Sequence, residues 1–461
     1  MKKILYSIFV IIFFAAAVTP FAGMLFYKAD GSAEQRELSE KPSIIVDKKI
    51  NRDFGSGFED YFGDHFAFRS ELVNADAALK LKVFDTSAED KVITGKGEWL
   101  YYTETLGDFC GTNELTDGEI QRIADIIMME KNYCRANGRG YVFSVAPNKN
   151  SIYPENMKSF YKETENGTNL SRLTEKLALY NVEVADLKDA LIKAKDSGKQ
   201  LYYTYDSHWN LMGAGIGYNT YLESIKKQTD VTFPDIGWNE NNFTSGVREG
   251  DLLKMVQPLD KDREELYAED KLATTYKPIG KPAKSVDDLI IKNKCETGAD
   301  VKLLMFRDSF GRALIKPLSM TFKETTLLRS VPFDIYSNID NDTVVVREIV
   351  ERNIKTLLDY APIVPAKENE ISGNTDVKDG FSESKKQGKL THYYGYVLSD
   401  EAVDYYRVGI VTKSGKTYAA FPVLESEIRD NAPDNAVGYS FYAPADDNDF
   451  ESFEVVVQIQ K

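Results

Sequence analysis

Between about Val92 and Tyr360, short apolar runs alternate with segments whose apolar residues recur every three or four positions. The short runs predict buried strands and the longer spacing predicts amphipathic helices. Strands are predicted over Gly140–Val145, Val182–Ala185, Leu201–Tyr205, Val301–Phe306, Thr325–Leu328 and Thr343–Glu348. Helices are predicted over Ile120–Asn137, Leu170–Tyr180, Leu187–Asp196, Gly213–Lys227, Arg312–Phe322 and Val350–Tyr360. This alternation indicates an α/β fold, with a mostly parallel sheet covered on both faces.

The first 27 residues differ from the rest of the chain in being almost entirely apolar. Lys2 and Lys3 precede the almost uncharged stretch Ile4–Tyr27, whose roughly 20 or more residues would span a bilayer as a helix. The two lysines predict that the body of the chain lies outside the cytoplasm. Small residues, among them Ala17 and Gly23, also suit a cleaved signal peptide. The length favours an uncleaved anchor, and both alternatives give an extracytoplasmic protein.

The remaining pattern predicts four further regions. Residues 28–85 form a stalk, in which residues 34–38 are polar and Phe54–Leu72 is one amphipathic helix. Residues 86–364 form the α/β domain, interrupted by a charged insertion over residues 239–299. Residues 365–389 have linker composition. Residues 390–461 form a small β-sandwich domain with strands over Tyr394–Leu398, Tyr405–Thr412, Thr417–Val423, Tyr439–Ala443 and Phe453–Ile459. Its tyrosines suit glycan binding, and they are equally good strand formers.

The composition of the chain argues against several classes of function. A net charge of -15 argues against nucleic-acid binding, which usually uses a basic face. The three cysteines, Cys110, Cys134 and Cys295, lack metal-ligand spacing. The histidines, His65, His208 and His392, are far apart in sequence. We therefore expect neither a metal nor a cofactor, and His65 lies among aromatic residues typical of a packed helix.

Two segments carry the candidate chemistry. Asp206 and His208 are two residues apart, so in an extended segment they point the same way and the carboxylate can orient the imidazole. Ser309 follows a predicted strand and precedes a predicted helix. Such a serine lies at the carboxyl edge of a parallel sheet, beside the N–H groups of a helix N-terminus. The alternatives are that Ser309 or Asp308 only caps the helix and that His208 is structural.

Several segments together resemble one family. Asp206–Asn210 resembles the D-x-H-W motif of the AlgX/AlgJ/DHHW family, which comprises alginate O-acetyltransferases and related proteins with an SGNH-hydrolase-like domain. Five other segments agree with the family: Gly63–Arg69, in which Ala67 replaces a proline, Gly95–Tyr101, Ala146–Pro154, Arg307–Gly311 and Val346–Arg352. The resemblance runs from about Glu34 to about Leu358.

The resemblance implies a three-layer SGNH-hydrolase-like domain with a Ser309–His208–Asp206 triad. It implies acetyl transfer to a polysaccharide through an acetyl-serine, with a membrane-bound O-acyltransferase supplying acetyl groups. Acetylester hydrolysis by the same triad, or glycan binding without catalysis, are the alternatives.

Four more residues are candidates for the oxyanion or substrate site. Backbone N–H groups near Ser309 and Phe310 are the leading oxyanion donors. The Asn148 side chain is another candidate, or else only a turn residue after Pro147. Arg307 would meet an anionic substrate or, as we favour, pair with a carboxylate. Tyr205 is a candidate for substrate contact.

Overall fold

The computed structural model describes residues 2–24, 26–27, 38–46, 48–369, 371, 373, 376–400 and 402–459. Residues 34–37 of the predicted polar segment lie outside this description. The chain forms two compact units. The first comprises residues 1–103, 204–207 and 247–265, and the second comprises residues 104–203, 208–246 and 266–461.

The α-helices are, in chain order, α1 Lys2–Gly23, α2 Phe54–His65, α3 Arg69–Val83, α4 Leu106–Cys110, α5 Asp117–Ala136, α6 Lys149–Ile152, α7 Asn169–Leu179, α8 Leu187–Lys195, α9 Leu211–Lys226, α10 Asp251–Val256, α11 Ile315–Thr321 and α12 Ser426–Arg429. The strands are β1 Ile45–Val46, β2 Lys49–Ile50, β3 Val92–Thr94, β4 Leu100–Tyr102, β5 Gly140–Ala146, β6 Val184–Ala185, β7 Phe243–Glu249, β8 Asp262–Asp270, β9 Lys277–Pro278, β10 Ile290–Lys294, β11 Ala299–Phe306, β12 Phe322–Leu328, β13 Thr343–Val350, β14 Lys378–Gln387, β15 Leu390–Leu398, β16 Tyr406–Thr412, β17 Thr417–Ala420, β18 Ala436–Pro444 and β19 Phe453–Ile459.

The first unit contains α1, whose residues Tyr6–Gly23 have a mean hydropathy of 2.0. A helix of that length and composition suits a membrane span, and a signal sequence has the same properties. The single helix predicted over Phe54–Leu72 is instead two helices, α2 and α3. They are separated at Phe68, whose φ of 64° a continuous right-handed helix does not allow.

Within the first unit, the β3–β4 hairpin and α10 share a small apolar core. The antiparallel hairpin β3–β4 contributes Val92 and Leu100, and α10 contributes Leu252, Leu253 and Val256. The hairpin and α10 are far apart in sequence, and their shared burial holds them together.

The second unit is built on a seven-stranded sheet with the order β6-β5-β13-β11-β12-β10-β9. The five strands from β6 to β12 are parallel to their neighbours, whereas β10 and β9 are antiparallel. Helices α5, α8, α9 and α11 contact the sheet, and every residue of β13 is buried. The prediction of an α/β fold with a mostly parallel sheet is confirmed.

Two details of that sheet differ from the prediction. Leu201–Tyr205 is not a strand, because only a single bridge joins Tyr202 to Trp209. The charged insertion over residues 239–299 supplies the edge strands β9 and β10. In Ile290–Lys294 burial alternates with exposure, so the mixed composition belongs to a half-exposed edge strand.

The C-terminal strands form two three-stranded sheets, β14-β15-β18 and β17-β16-β19. Residues from both sheets share one apolar core, including Val408, Val437 and Phe441, so the prediction of a β-sandwich is confirmed. The predicted linker differs, because Lys378–Gln387 forms β14 and pairs with β15. Its side chains are almost all exposed, which explains a composition without apolar alternation. Residues 370, 372, 374 and 375 of that linker lie outside the described chain.

Candidate active site

Ser309 lies in the turn that follows β11. It precedes a 3₁₀ helix over Phe310–Leu314, where the sequence predicts an α-helix, and α11 follows directly. The Ser309 side chain makes no capping hydrogen bond. Its Oγ lies 2.8 Å from Nε2 of His208, a residue 101 positions away in sequence. The serine therefore faces the histidine instead of capping the helix.

His208 is positioned by the residues that follow it. The indole N–H of Trp209 donates to the carbonyl oxygen of Phe310 at 3.1 Å, and the His208 and Phe310 rings are 4.9 Å apart. Asn210 caps α9, accepting from the N–H of Gly213 at 3.0 Å. With Nε2 unprotonated, His208 can accept the hydroxyl proton of Ser309. Trp209 is part of the D-x-H-W segment, but its hydrogen bond to the turn that carries Ser309 was not predicted from the sequence.

Asp206 belongs to the first unit and is 3% exposed. Its Oδ2 accepts from Nη2 of Arg248 at 3.0 Å and from the backbone N–H of Asp251 at 3.4 Å. Asp251 also accepts from Ser207, at 2.7 Å from its N–H and 2.6 Å from its hydroxyl. These contacts hold the segment before His208. Arg248 and Asp251 lie in the insertion, and no motif in the sequence indicated them.

The carboxyl groups of Asp308 and Glu348 form hydrogen bonds with the backbone of the turn that carries Ser309. Asp308 accepts from the N–H of Phe310 at 2.8 Å and from the N–H of Val350 at 2.5 Å, and its own N–H donates to Glu348 at 3.1 Å. Burial, followed by the negative charge of Asp308, raises the pKa of Glu348 well above its usual value. The raised pKa favours the neutral form of Glu348, which reduces the repulsion between the two neighbouring carboxyl groups.

The structure gives the Phe310 N–H a different role from the predicted one. It donates to Asp308, in the two-residue bond that aspartate commonly makes with its own backbone. The leading oxyanion donor is therefore engaged in a hydrogen bond within the turn that carries Ser309.

Asn148 is also engaged elsewhere. Its side chain is 1% exposed and donates to Asp108 at 3.0 Å, while its backbone N–H donates to Glu351 at 2.8 Å. A second N–H of the same amide remains for a ligand by valence, but the observed contacts are those of a residue fixing the end of β5.

Arg307 and Tyr205 complete the predicted set. The Arg307 guanidinium donates to the carbonyl oxygens of Val286 at 2.6 Å and Asp308 at 3.2 Å. Within the described residues it forms no ion pair, so the favoured pairing with a carboxylate is not observed. Tyr205 lies in the first unit and donates its hydroxyl to Glu98 at 2.6 Å.

The other two histidines have structural surroundings. His65 donates from Nδ1 to the Tyr61 carbonyl oxygen at 2.9 Å, and its ring stacks on the Tyr61 ring, as the prediction of a packed helix implies. His392 is 8% exposed, and its Nε2 lies 2.8 Å from Oγ of the fully buried Ser440. The distance is that of a catalytic serine–histidine pair, but a substrate could not reach the buried Ser440.

Comparisons with known proteins agree with the motifs. Residues 92–296 match the protein-family model described as SGNH hydrolase-like domain, acetyltransferase AlgX. A probable alginate O-acetylase AlgJ of Pseudomonas fluorescens is 23% identical over 211 residues, which are 46% of this chain and 52% of that protein. The same-named protein of Pseudomonas putida is 21% identical over 211 residues, 46% of this chain and 53% of its own length. The match spans about half the length of these curated relatives.

Solved structures show weaker overall similarity. Bacillus cereus PatB1 with a sulfonyl adduct gives a TM-score of 0.45 at 19% identity, covering 57% of this chain and 95% of the other. A DHHW family protein from Eubacterium siraeum gives 0.42 at 16% identity, covering 57% and 91%.

The resemblance stated from the motifs is confirmed by the family match and the relatives. Ser309 itself lies beyond the matched residues, so its candidacy depends on the geometry around His208. Residues 92–296, which are less than half of the chain, are therefore similar to the SGNH hydrolase-like domain of the acetyltransferase AlgX.

Proposed function

We propose that this protein is an extracytoplasmic O-acetyltransferase that transfers acetyl groups to a polysaccharide. Ser309 is the nucleophile, His208 the general base, and Asp206 the residue that orients the imidazole. The observation that carries the proposal is the 2.8 Å contact between His208 Nε2 and Ser309 Oγ. A serine and an imidazole at hydrogen-bond distance can act as the nucleophile and base of acyl transfer, and Ser309 is only half-buried, whereas Ser440 is fully buried.

The reaction has two halves. In the first, His208 takes the proton of Ser309 Oγ as this oxygen attacks the acetyl carbon of the donor. The protonated imidazole then gives its proton to the leaving group, and acetyl-serine remains. In the second half, His208 takes the proton of a sugar hydroxyl, which attacks the acetyl carbon. The proton returns to Ser309 as the sugar ester leaves.

The role of Asp206 is the one that the D-x-H-W resemblance implies, and its hydrogen bonds support it. A carboxylate that accepts from one imidazole nitrogen leaves the other free to act as the base. Arg248 and the Asp251 backbone hold Asp206 in place. An aspartate held in this way would keep its orientation through both halves of the reaction.

The substrate and location are inferred from the relatives and from the N-terminus. The relatives are named alginate O-acetylases, which supports a polysaccharide acceptor. The apolar helix Lys2–Gly23 supports export or membrane anchoring. The acetyl source that the family resemblance implies is a membrane-bound O-acyltransferase. A net charge of -15 favours a neutral polymer over a polyuronate, because like charges repel.

Replacement of the nucleophile tests the proposal. Ser309→Ala in the full chain should lower acetyl release from an activated acetyl ester by about a thousandfold or more, and His208→Ala should do nearly the same, since triad members act as a unit. Wild-type protein should also produce acetylated oligosaccharide, detected by mass spectrometry. Ser197→Ala, an exposed serine at the end of α8, is the matched control and should change neither rate.

The same experiment separates transfer from hydrolysis. Acetate release that no added oligosaccharide alters, with no acetylated sugar, would identify an esterase using the same serine. Undiminished acetyl release in Ser309→Ala would remove Ser309 from the reaction.

A further inference from the structure

The first unit contains a cavity of about 450 Å³ between the β3–β4 hairpin, the end of α3 and α10. This volume lies in the range of about 300–1,000 Å³ that small-molecule sites occupy. Trp99, Tyr205, Gln257 and Arg263 line it. In the chain Tyr205 directly precedes Asp206, the proposed orienting residue.

Gln257 is the most unusual residue of the cavity wall. Its side chain is 1% exposed, and in the part of the chain that the structure describes neither its amide nitrogen nor its amide oxygen has a hydrogen-bond partner. A buried amide without hydrogen-bond partners is unfavourable. Gln257 offers donors and an acceptor side by side, which suits two neighbouring hydroxyl groups of a sugar.

Aromatic side chains provide a second element of the site. Trp99 is half-buried and stacks on the buried Tyr101, with ring centroids 6.3 Å apart. Tyr205 is half-buried as well, and the Arg263 guanidinium lies 5.9 Å from its ring centroid. Faces of aromatic rings provide rigid apolar contact, which suits the C–H faces of a pyranose ring.

The backbone of the hairpin fixes one of these rings. Gly97 and Glu98 both have positive φ, 62° and 65°, a conformation that a non-glycine residue adopts at a cost. In it, the Glu98 carboxylate accepts the Tyr205 hydroxyl at 2.6 Å. A residue held in a strained conformation and bonded to a cavity-lining ring is typical of a ligand site.

The charges in the cavity wall balance. Arg263 is paired with both oxygens of Asp260, each at 2.8 Å. The other charged lining residues are two lysines and two carboxylates, Lys82, Lys96, Asp85 and Glu98. An uncharged ligand therefore fits this wall better than an anionic one.

We propose that this cavity binds one neutral pyranose unit of the acceptor glycan, with Gln257 bonding neighbouring hydroxyl groups and Trp99 contacting the ring face. That the glycan is the acetyl acceptor rests on the proposed function. The binding itself does not, so the two can be tested separately.

The test uses the full-length chain in detergent carrying Ser309→Ala, so that no ligand is turned over. Ligands are neutral hexasaccharides of several linkages and an oligouronate of the same length. Binding is followed by saturation-transfer NMR and by tryptophan fluorescence. Trp99 is the half-buried tryptophan of the three, since Trp209 and Trp238 are 2% and 4% exposed.

At least one neutral hexasaccharide should bind, and the oligouronate at least tenfold more weakly. Trp99→Ala and Gln257→Leu should each raise the Kd at least tenfold. Gln257→Leu should also raise Tm, because it removes an unpartnered buried amide. Phe160→Ala, an aromatic residue of the second unit that is 67% exposed, is the control and should leave the Kd within twofold.

The proposal is overturned if no neutral hexasaccharide binds, if both variants keep the wild-type Kd, or if the oligouronate binds more tightly. A higher Tm for Gln257→Leu with unchanged binding would also overturn it, since Gln257 would then be only a strained wall residue. Ester hydrolysis by the protein with Ser309 intact tests the proposed function independently of these outcomes.

Discussion

Asp108 shows how a single buried carboxyl group organises the polar residues behind the sheet edge. It is 5% exposed and accepts from the side-chain amides of Asn113 at 3.1 Å, Asn148 at 3.0 Å and Asn169 at 3.4 Å. Burial, followed by the negative charge of Glu351, raises the pKa of Asp108 to about 6, although the three amides act in the opposite direction. Asn148 is thus held by a group that titrates near neutral pH.

The raised pKa of Asp108 makes stability depend on pH. Because the folded-state pKa exceeds the unfolded value, the contribution of Asp108 is fully present below about pH 3.8 and is lost as pH rises through about 6. Between pH 5 and 7.5 the loss is about 1 kcal/mol. Asp108→Asn should remove this part of the pH dependence, as measured by urea unfolding at the two pH values.

Asp117→Asn is the control for that measurement. Asp117 is exposed, and its hydrogen bond with Arg172 lowers its pKa, so its titration lies below the tested range. The same slope in wild type and Asp108→Asn would show that Asp108 is ionised throughout.

At the scale of single elements, the glycines of α9 explain an irregular sequence pattern. A Cβ on Gly213 would lie 2.2 Å from the carbonyl oxygen of Leu201 and 3.0 Å from the Cβ of Trp209, and one on Gly217 would lie 3.1 Å from the Trp209 ring. These glycines let α9 approach the segment that carries His208. On Gly215, a Cβ would only reach ordinary contact with Phe243, at 3.4 Å.

Replacement by alanine should therefore change the stability of the protein in opposite directions at Gly213 and at Gly215. Gly213→Ala should destabilise the protein by about 1–3 kcal/mol through overpacking and should also reduce ester hydrolysis by displacing Trp209. Gly215→Ala should be neutral or stabilising by up to about 1 kcal/mol, because alanine is the better helix former. Thermal unfolding and initial rates measure both effects, and equal stability of the two variants would contradict this account of α9.

At the scale of the second unit, the C-terminal strands are part of the main core. Leu390, Phe421 and Tyr442 belong to the same buried cluster as Ile126 and Val345 of the α/β region. The carbonyl oxygen of Tyr442 also accepts from the N–H of Ala366 at 2.7 Å. The sequence suggested a linker and a separate domain, whereas the apolar contacts join the two regions.

Because the C-terminal strands and the α/β region share one buried core, we expect them to unfold in a single transition. Phe421→Ala and Ile126→Ala each remove buried apolar volume, at a cost of about 2–5 kcal/mol, and should lower the same calorimetric transition. Phe381→Ala, on the exposed strand β14 with 38% exposure, should have little effect. A transition that moves in Phe421→Ala and stays fixed in Ile126→Ala would instead identify an independent C-terminal domain.

The sequence by itself determined the fold class, most strand and helix positions, and Ser309 and His208 as candidates. These depend on local periodicity and on residue types within a few positions of one another, which one sequence displays. Long-range burial and competing hydrogen bonds cannot be seen there. Only the tertiary structure brought Ser309 to His208 across 101 residues, gave the Phe310 N–H to Asp308 and made Lys378–Gln387 a strand through its pairing with β15. Each outcome depends on a partner distant in sequence or on a polar group that finds a better acceptor once water is excluded.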